Sequence, residues 1–551
     1  MTRLPPYIET AWVEGAHEIS GLDHLGVKGP CINIYGQLLP GITNVTDRAR
    51  YFSFYTWVIW KLDQLDRRKK EEIRDNIRKA DCLLTLIYQR HAIKSSEDET
   101  IHAGSATGSN TFSKIIKNAN EKDKIKLSDY ADLNNYKERY FKNPYGGLGQ
   151  YYIGSLRDLY ILKGDLSSGS IRYTKERGEQ LAKAFDKSVN GELFWSYIDK
   201  DVVSVKSLDN LSSFCLCHLK DSSDEKELLT SILFAKDDYV QDKGKIRQPT
   251  LMLYLDLVAQ LQNQERLDVN LFRNVIYGQS FPDKSEWNIS DNLAITHKKW
   301  HTYVLNEILS VALQGLMHGM LASCLADTDN SLSKSKTING LIDGFIQCEI
   351  GRDTLRFLKK NTFAELVQYA QSTLPSISEW QNDKHELKCV IDIENISKED
   401  NKKEELIKIT RKSAWVLVCL AYRLSSIEDP YEHFEFPKGY YDYYPINLSS
   451  FKQNAENIWM KQTTEKWFVW VLKKWIVEGH ISVALRKLRY QSESTFKIRP
   501  EEDEYEIVET VLPGFTNPRF VQTRQVLIDL GIFKVSSDGY IQLTELGNSL
   551  I

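Results

Sequence analysis

The sequence predicts a mainly α fold: a helical body bearing winged helix-turn-helix modules with small β-wings, one near the end of the N-terminal lobe and one at the C-terminus. Three observations predict it. Apolar residues recur at i, i+3, i+4 spacing along much of the chain. Strand-like alternation is scarce in the middle third. A short helix–strand–turn–strand–helix pattern also occurs twice.

Taken in order, the chain opens on a Gly-rich irregular segment, from Gly15 through Gly21, Gly26, Gly29 and Gly36 to Pro40-Gly41. A helix is predicted from Thr43–Thr46 onward, with Asn44 or Thr46 capping its first amides. It carries Tyr51, Phe54, Tyr55, Val58, Ile59 and Leu62 on one stripe. A second helix covers about Lys69 to Ile93, and Ser95–Ser109 reads as a polar loop. The longest helix is expected over Thr296–Ala326, with Trp300, Val304, Ile308, Val311, Leu316 and Met320 on or near one face. Two polar stretches, Asp327–Thr337 and Ser397–Glu405, read as loops or linkers.

The repeated pattern is the most informative. Residues 156–181 read Leu-Arg-Asp-Leu-Tyr-Ile-Leu-Lys, a Gly/Ser turn, Ile-Arg-Tyr-Thr, then Gly178 and Leu181. Residues 527–550 read Leu-Ile-Asp-Leu-Gly-Ile-Phe-Lys, a Ser-Ser-Asp-Gly turn, Tyr-Ile-Gln-Leu-Thr, then Gly547 and Leu550. Each parses as a helix end, a hairpin and a helix capped by Thr174 or Thr544. At the C-terminus Asn517-Pro518 supplies a cap with proline first in the helix, and Gly531 the left-handed stop. Winged helices are expected at about 135–188 and 510–551. The domain division is 1–190, an N-terminal lobe ending in a winged-helix-like unit; 191–425, a helical middle; and 426–551, a basic segment with a winged helix.

Composition bounds the function. Of 551 residues, 71 are Lys or Arg and 75 Asp or Glu, a net charge of −4, and 42% are hydrophobic. That is ordinary globular composition, so any nucleic-acid contact needs a local patch. No apolar run reaches about 18 residues, the start lacks a secretory leader, and eight cysteines are scattered without a CxxC pair. Reduced thiols and a cytoplasmic location are expected. Twelve Trp and 28 Tyr are many for a helical chain, and they fit either core or a partner surface.

Catalytic motifs are incomplete, and no enzyme, cofactor or metal is expected. The chain lacks GxxxxGK[ST], GxSxG and HExxH, and Gly104–Ser109 is a loop without a phosphate-binding lysine. His297 and His301 lie four apart, but no third ligand is evident. Cys215-Leu-Cys217-His218 is a compact soft-ligand cluster whose lack of a second cluster favours buried thiols on an apolar face. Asp392-Ile-Glu394 follows strand-like Cys389-Val-Ile391, yet Lys398 is too distant for a nuclease signature.

Arg486, Lys487, Arg489, Lys497 and Arg499, with Tyr490 and Phe496 interleaved, form the candidate DNA-binding segment, beside the neutralising run Glu501–Glu504. Arg519 and Arg524 on the last long helix join it as candidates. That helix, however, presents Gln522, Gln525 and Asp529 on its main polar arc, which favours protein over base edges.

The stretches Pro40-Gly41-Ile42-Thr43-Asn44-Val45-Thr46-Asp47-Arg48-Ala49-Arg50-Tyr51, Trp300-His301-Thr302-Tyr303, and Val483–Arg489 with Thr495-Phe496 resemble large subunits of multi-gene bacterial defence systems. The nearest analogy is the accessory subunit of Lamassu-type antiphage and antiplasmid complexes. The resemblance implies a non-catalytic, kleisin-like scaffold that bridges an SMC-like ATPase and an effector nuclease, with double-stranded DNA bound by the complex. It makes Thr46, Asp47, Arg48, Arg50 and Tyr51 a partner-docking candidate. A cap with an Asp47–Arg50 surface pair is the alternative reading of that motif. Two rival functions stay open, a stand-alone winged-helix DNA-binding regulator and an enzyme with a cryptic metal-dependent nuclease site near Asp392 and Glu394.

Overall fold

A computed structural model describes residues 23–95, 102, 106–167, 169–237, 239, 243–262, 264–327, 332–399, 402–489 and 494–551. Helix takes 61% of the chain and strand 6%, so the fold is mainly α with small antiparallel sheets. The chain forms two compact units, each built from non-consecutive segments. One compact unit holds residues up to Ile34, Arg273–Asn288 and His297–Thr516, and the other holds Tyr35–Phe272, Ile289–Thr296 and Asn517–Ile551. Apolar periodicity marks which residues are buried but not which distant segment buries them, and here the last 35 residues complete the unit begun at Tyr35.

In that second unit the helix Arg50–Gln64 is buried on almost every face from Arg50 to Ile59, because its residues are aromatic or apolar well beyond a single stripe. Trp57 packs on Phe185 and Phe194, with ring centroids 5.5 and 5.4 Å away, and Tyr51, Tyr55 and Tyr152 form a second ring cluster. The expected caps, Asn44 and Thr46, do not start this helix. The Thr46 hydroxyl instead accepts from the Thr43 N–H, and the helix begins at Arg50. The amide of Ala49 donates to the Asp529 carboxylate, 2.9 Å away and 480 positions along the chain. The second predicted helix is present over Lys70–Lys94.

The two repeated segments adopt matching local geometry within this unit. Ile153–Asp158 leads into the hairpin Leu162–Lys163 with Arg172–Tyr173, and Phe520–Asp529 leads into Phe533–Val535 with Ile541–Leu543. Both helices end on a left-handed residue, Tyr160 (φ 52°) or Gly531 (φ 66°). In both, the next isoleucine N–H returns to the leucine five positions back: Ile161 to the Leu156 carbonyl and Ile532 to the Leu527 carbonyl, each at 2.9 Å. Thr174 and Thr544 then repeat one pattern, donating their N–H to Ile161 and Ile532 and their hydroxyls to the carbonyls of Tyr160 and Gly531. The same hydroxyls accept from the amides of Gly178 and Gly547. A Cβ at Gly178 or Gly547 would lie 2.4 or 2.5 Å from the Ile161 or Ile532 carbonyl oxygen, so only glycine fits. The C-terminal helix starts at Phe520 after Arg519 in a left-handed conformation, later than the expected Asn517-Pro518 start.

The first unit is built on Lys403–Ser425, packed by Glu349–Leu358, Phe363–Thr373 and Glu386–Ile396. Trp459 sits among Phe363, Phe451, Trp467, Trp470 and Trp475. Trp57, Trp287, Trp300, Trp459 and Trp467 are all fully buried, so these tryptophans are core rather than partner surface. A three-stranded antiparallel sheet pairs Lys334–Ser335 with Tyr505–Ile507, and Tyr505–Ile507 with Ile498–Pro500. The longest helix, Asp291–Leu325, is long and apolar enough to cross a membrane, but 94% of its most apolar window is buried inside the protein.

Candidate functional site

The Thr46–Tyr51 motif lies in the interior of its unit. Arg48 is 2% exposed as a side chain and reaches both Asp529 oxygens through Nε, at 3.0 and 2.9 Å. Arg50 donates to the carbonyls of Ser213 and Cys215 at 2.7 and 2.6 Å and pairs with the fully buried Glu225. Asp47 accepts from Gln522, Thr46 is fully buried, and Tyr51 donates no surface at 1% exposure. The expected Asp47–Arg50 surface pair does not form, and the motif has no exposed docking face within its unit. Its cations are satisfied by residues far along the chain, which no local spacing rule reveals.

The segment that Arg50 grips carries a cluster of soft ligands. Cys215 sits in the turn between the 3-10 helices Lys206–Phe214 and Leu216–Asp221, and Cys217 follows it. Facing them are His91, in the last turn of Lys70–Lys94, and His102. His91 Nδ1 lies 3.1 Å from His102 Nε2, Cys215 Sγ lies 3.5 Å from His102 Nε2, and Cys217 Sγ lies 3.6 Å from His91 Nδ1. All four ligand atoms fall within 4.8 Å of one another, and this is the metal-binding type of cluster found among the described residues. Burial raises the Cys215 thiol, but the Cys217 hydrogen bond and the nearby Arg48 and Arg50 guanidiniums outweigh it and bring the group below the ordinary value. Cys217, hydrogen-bonded to Cys215 and buried, is pushed up to about 11. Sequence reading noticed the CxCH run but not its partners, because the histidines lie more than a hundred residues upstream.

The basic C-terminal segment is largely engaged inside its own unit. Lys487 is 4% exposed, and Arg486 donates to the Tyr443 carbonyl and covers the Tyr443 ring. Lys497 pairs with Glu509, and Arg499 with Glu501 and Glu506. Arg489 is exposed, and Tyr490 lies outside the described residues. In the other unit Arg519 donates to the Leu39 carbonyl and Arg524 to that of Leu267. The Phe520–Asp529 polar arc points inward, with Gln522 on Asp47 and Gln525 on Asp529, so this helix has no polar face free for base edges.

A cationic surface that sequence reading did not single out flanks the first hairpin. A cleft of about 290 Å³ is lined by Arg67, Arg68, Lys163, Arg172 and Lys175, with Asp63 as its acidic member. Lys163, Arg172 and Lys175 are exposed and make no ion pair among the described residues, while Asp63 accepts from the Tyr173 hydroxyl.

The remaining candidates have structural partners. His297 contacts the Ile276 carbonyl at 2.9 Å, His301 stacks on Tyr277, and burial lowers both to about 4. Cys389–Ile391 is not a strand. The helix Glu386–Ile396 runs through it, started by the His385 side chain accepting from the Leu387 amide. Asp392 pairs with Lys388 and Lys412, and Glu394 with Lys398, which removes the strand context on which a nuclease reading rested. The Gly104–Ser109 loop lies partly outside the described residues. No protein-family model matches the chain, and comparison with curated proteins and with solved structures gave no significant match.

Proposed function

We propose that the protein is a scaffold subunit of a multi-protein assembly that acts on DNA, comparable to the accessory subunit of Lamassu-type defence complexes, bridging an SMC-like ATPase and an effector nuclease. The observation that carries this reading is the duplicated helix–hairpin–helix geometry at residues 153–188 and 520–548. We read both as winged-helix modules, with the second used for packing. In its arc Gln522 is spent on Asp47, Asp529 on Arg48, and Gln525 on Asp529, which supports the scaffold over a stand-alone regulator that would need that helix in a groove.

DNA contact, on this reading, belongs to the first wing. Lys163, Arg172 and Lys175 offer exposed cations within one cleft, beside Arg68 paired with Asp66, where phosphates are positioned without base readout. The C-terminal candidates offer less, because Lys487, Lys497, Arg499, Arg519 and Arg524 already hold partners or are buried. Co-purification of the full chain with the products of the genes flanking its own tests the reading. A stable complex containing an ATPase supports it, and recovery of the chain alone under all conditions opposes it.

A further inference from the structure

We infer that His91, His102, Cys215 and Cys217 form a closed, structural zinc site, a role independent of the assembly proposed above. The geometry carries the argument. Tetrahedral zinc with Zn–S near 2.3 Å and Zn–N near 2.0–2.1 Å places its ligand atoms about 3.4 Å apart for an N–N edge and about 3.6 Å for an S–N edge. The three edges measured here are 3.1 Å for N–N, and 3.5 and 3.6 Å for S–N. Four ligand atoms from three separate chain segments therefore match three edges of one zinc tetrahedron, and the other three separations all fall within 4.8 Å.

The donor set selects the metal. Two thiolates and two imidazoles in a tetrahedron suit zinc, while magnesium and calcium require oxygen ligands. Binding releases two thiol protons, and two thiolates balance the dication, so a half-buried site carries no net charge. Four protein ligands leave no open position for water or substrate, which makes the site structural rather than catalytic.

The surroundings show what the ion would hold. Arg90 and Lys94, on the helix that carries His91, already pair with Asp209 on the 3-10 helix that precedes Cys215. Arg50 donates to the Cys215 carbonyl at 2.6 Å. Zinc would join His102, a residue between polar chain segments, to this junction. His218, the last residue of the CxCH run, holds Asp221 at 2.9 Å and places its ring 5.0 Å from that of His91, so it flanks the site without completing it.

The test uses the full, untagged chain, since an oligohistidine tag binds zinc itself. Elemental analysis after dialysis against buffer is expected to give one equivalent of zinc per chain. Reconstitution of the metal-free protein with cobalt(II) is expected to give the intense d–d and thiolate-to-cobalt bands of a tetrahedral S₂N₂ site. Cys217→Ser should abolish both the zinc and the charge-transfer bands. His102→Gln removes a ligand that belongs to no long helix, so it keeps the test decisive if the cysteine variant fails to fold. It should lower zinc retention against a competing chelator by at least tenfold. Wild-type protein that carries no zinc and gives no tetrahedral cobalt spectrum overturns the inference, leaving a hydrogen-bonded thiol–imidazole cluster. Full zinc retention in both variants overturns it as well.

Discussion

Replacing Asp529 tests how the second unit is held together. Its carboxylate accepts from Arg48 Nε at 3.0 and 2.9 Å, from the Ala49 amide at 2.9 Å and from Gln525 Nε2 at 3.0 Å. The side chains of Arg48 and Asp529 are 2% and 3% exposed. Burial opposes the Arg48 charge, but the Asp529 carboxylate more than compensates and holds the guanidinium above its ordinary value. Asp529→Ala strands that charge in the interior, and breaking a buried pair from one side costs about 3–5 kcal/mol. Losing the acceptor at the start of Arg50–Gln64 adds roughly 1 kcal/mol. At about 2 °C per kcal/mol for a unit of this size, the midpoint should fall by about 8–12 °C. Arg48→Met combined with Asp529→Leu removes both charges and should recover most of the loss, since well-packed apolar replacements of buried pairs are often near neutral. Calorimetry and urea unfolding followed by circular dichroism read both variants. A single variant within about 1 kcal/mol of wild type, or a double variant as damaged as the single, refutes the reasoning.

Other perturbations reach separate parts of the account. Thr174→Ala and Thr544→Ala each remove a hydroxyl bridging a helix-end carbonyl and a glycine amide. Each should cost about 1–2 kcal/mol in urea unfolding, and a loss at one position only would deny the equivalence of the two hairpin units. Asp81 is fully buried, accepts from the Tyr55 hydroxyl and the Gly147 amide, and is raised from 3.8 to about 7, chiefly by burial. Because its folded value exceeds the unfolded one, the native state keeps a proton that the unfolded chain releases. Stability should therefore decline between about pH 4 and pH 7, by about 4 kcal/mol in total. Asp81→Asn should flatten that decline in a pH series of unfolding midpoints, and an unchanged slope would reject this assignment. Reversing Lys163, Arg172 and Lys175 to Glu should weaken duplex DNA binding by the assembly at least tenfold at low salt and reduce the salt slope by about 3, as read by fluorescence anisotropy. Arg499→Glu, whose cation is already paired, should change it little.

Local signals were legible in the sequence. The helices at Lys70–Lys94 and Asp291–Leu325 follow from sustained 3–4 spacing, and both hairpins follow from turn residues between short apolar pairs ended by threonine. What escaped is long-range. The Arg50–Gln64 helix takes its terminal acceptor from Asp529 rather than from Asn44 or Thr46, since a buried carboxylate from a distant segment outcompetes a local cap. Cys389–Ile391 looked extended because three apolar residues fit either period, and the His385 cap with buried Leu387, Val390 and Ile393 decides for helix. The thiol–imidazole cluster was half visible as Cys215-Leu-Cys217. Its partners His91 and His102 are eleven apart and resemble no zinc-finger spacing, so only the folded chain brings the four together. The cationic cleft at the first hairpin combines residues from 67 to 175, which no linear charge run displays.

The scaffold reading meets its most direct test in the mass of what the full chain forms when co-expressed with the products of its flanking genes, measured by light scattering with and without duplex DNA. The account predicts a defined complex containing an ATPase, larger than the 63.7 kDa chain, that gains mass when DNA is added. A chain that stays alone at its own mass, with every neighbouring product present and DNA added, contradicts it.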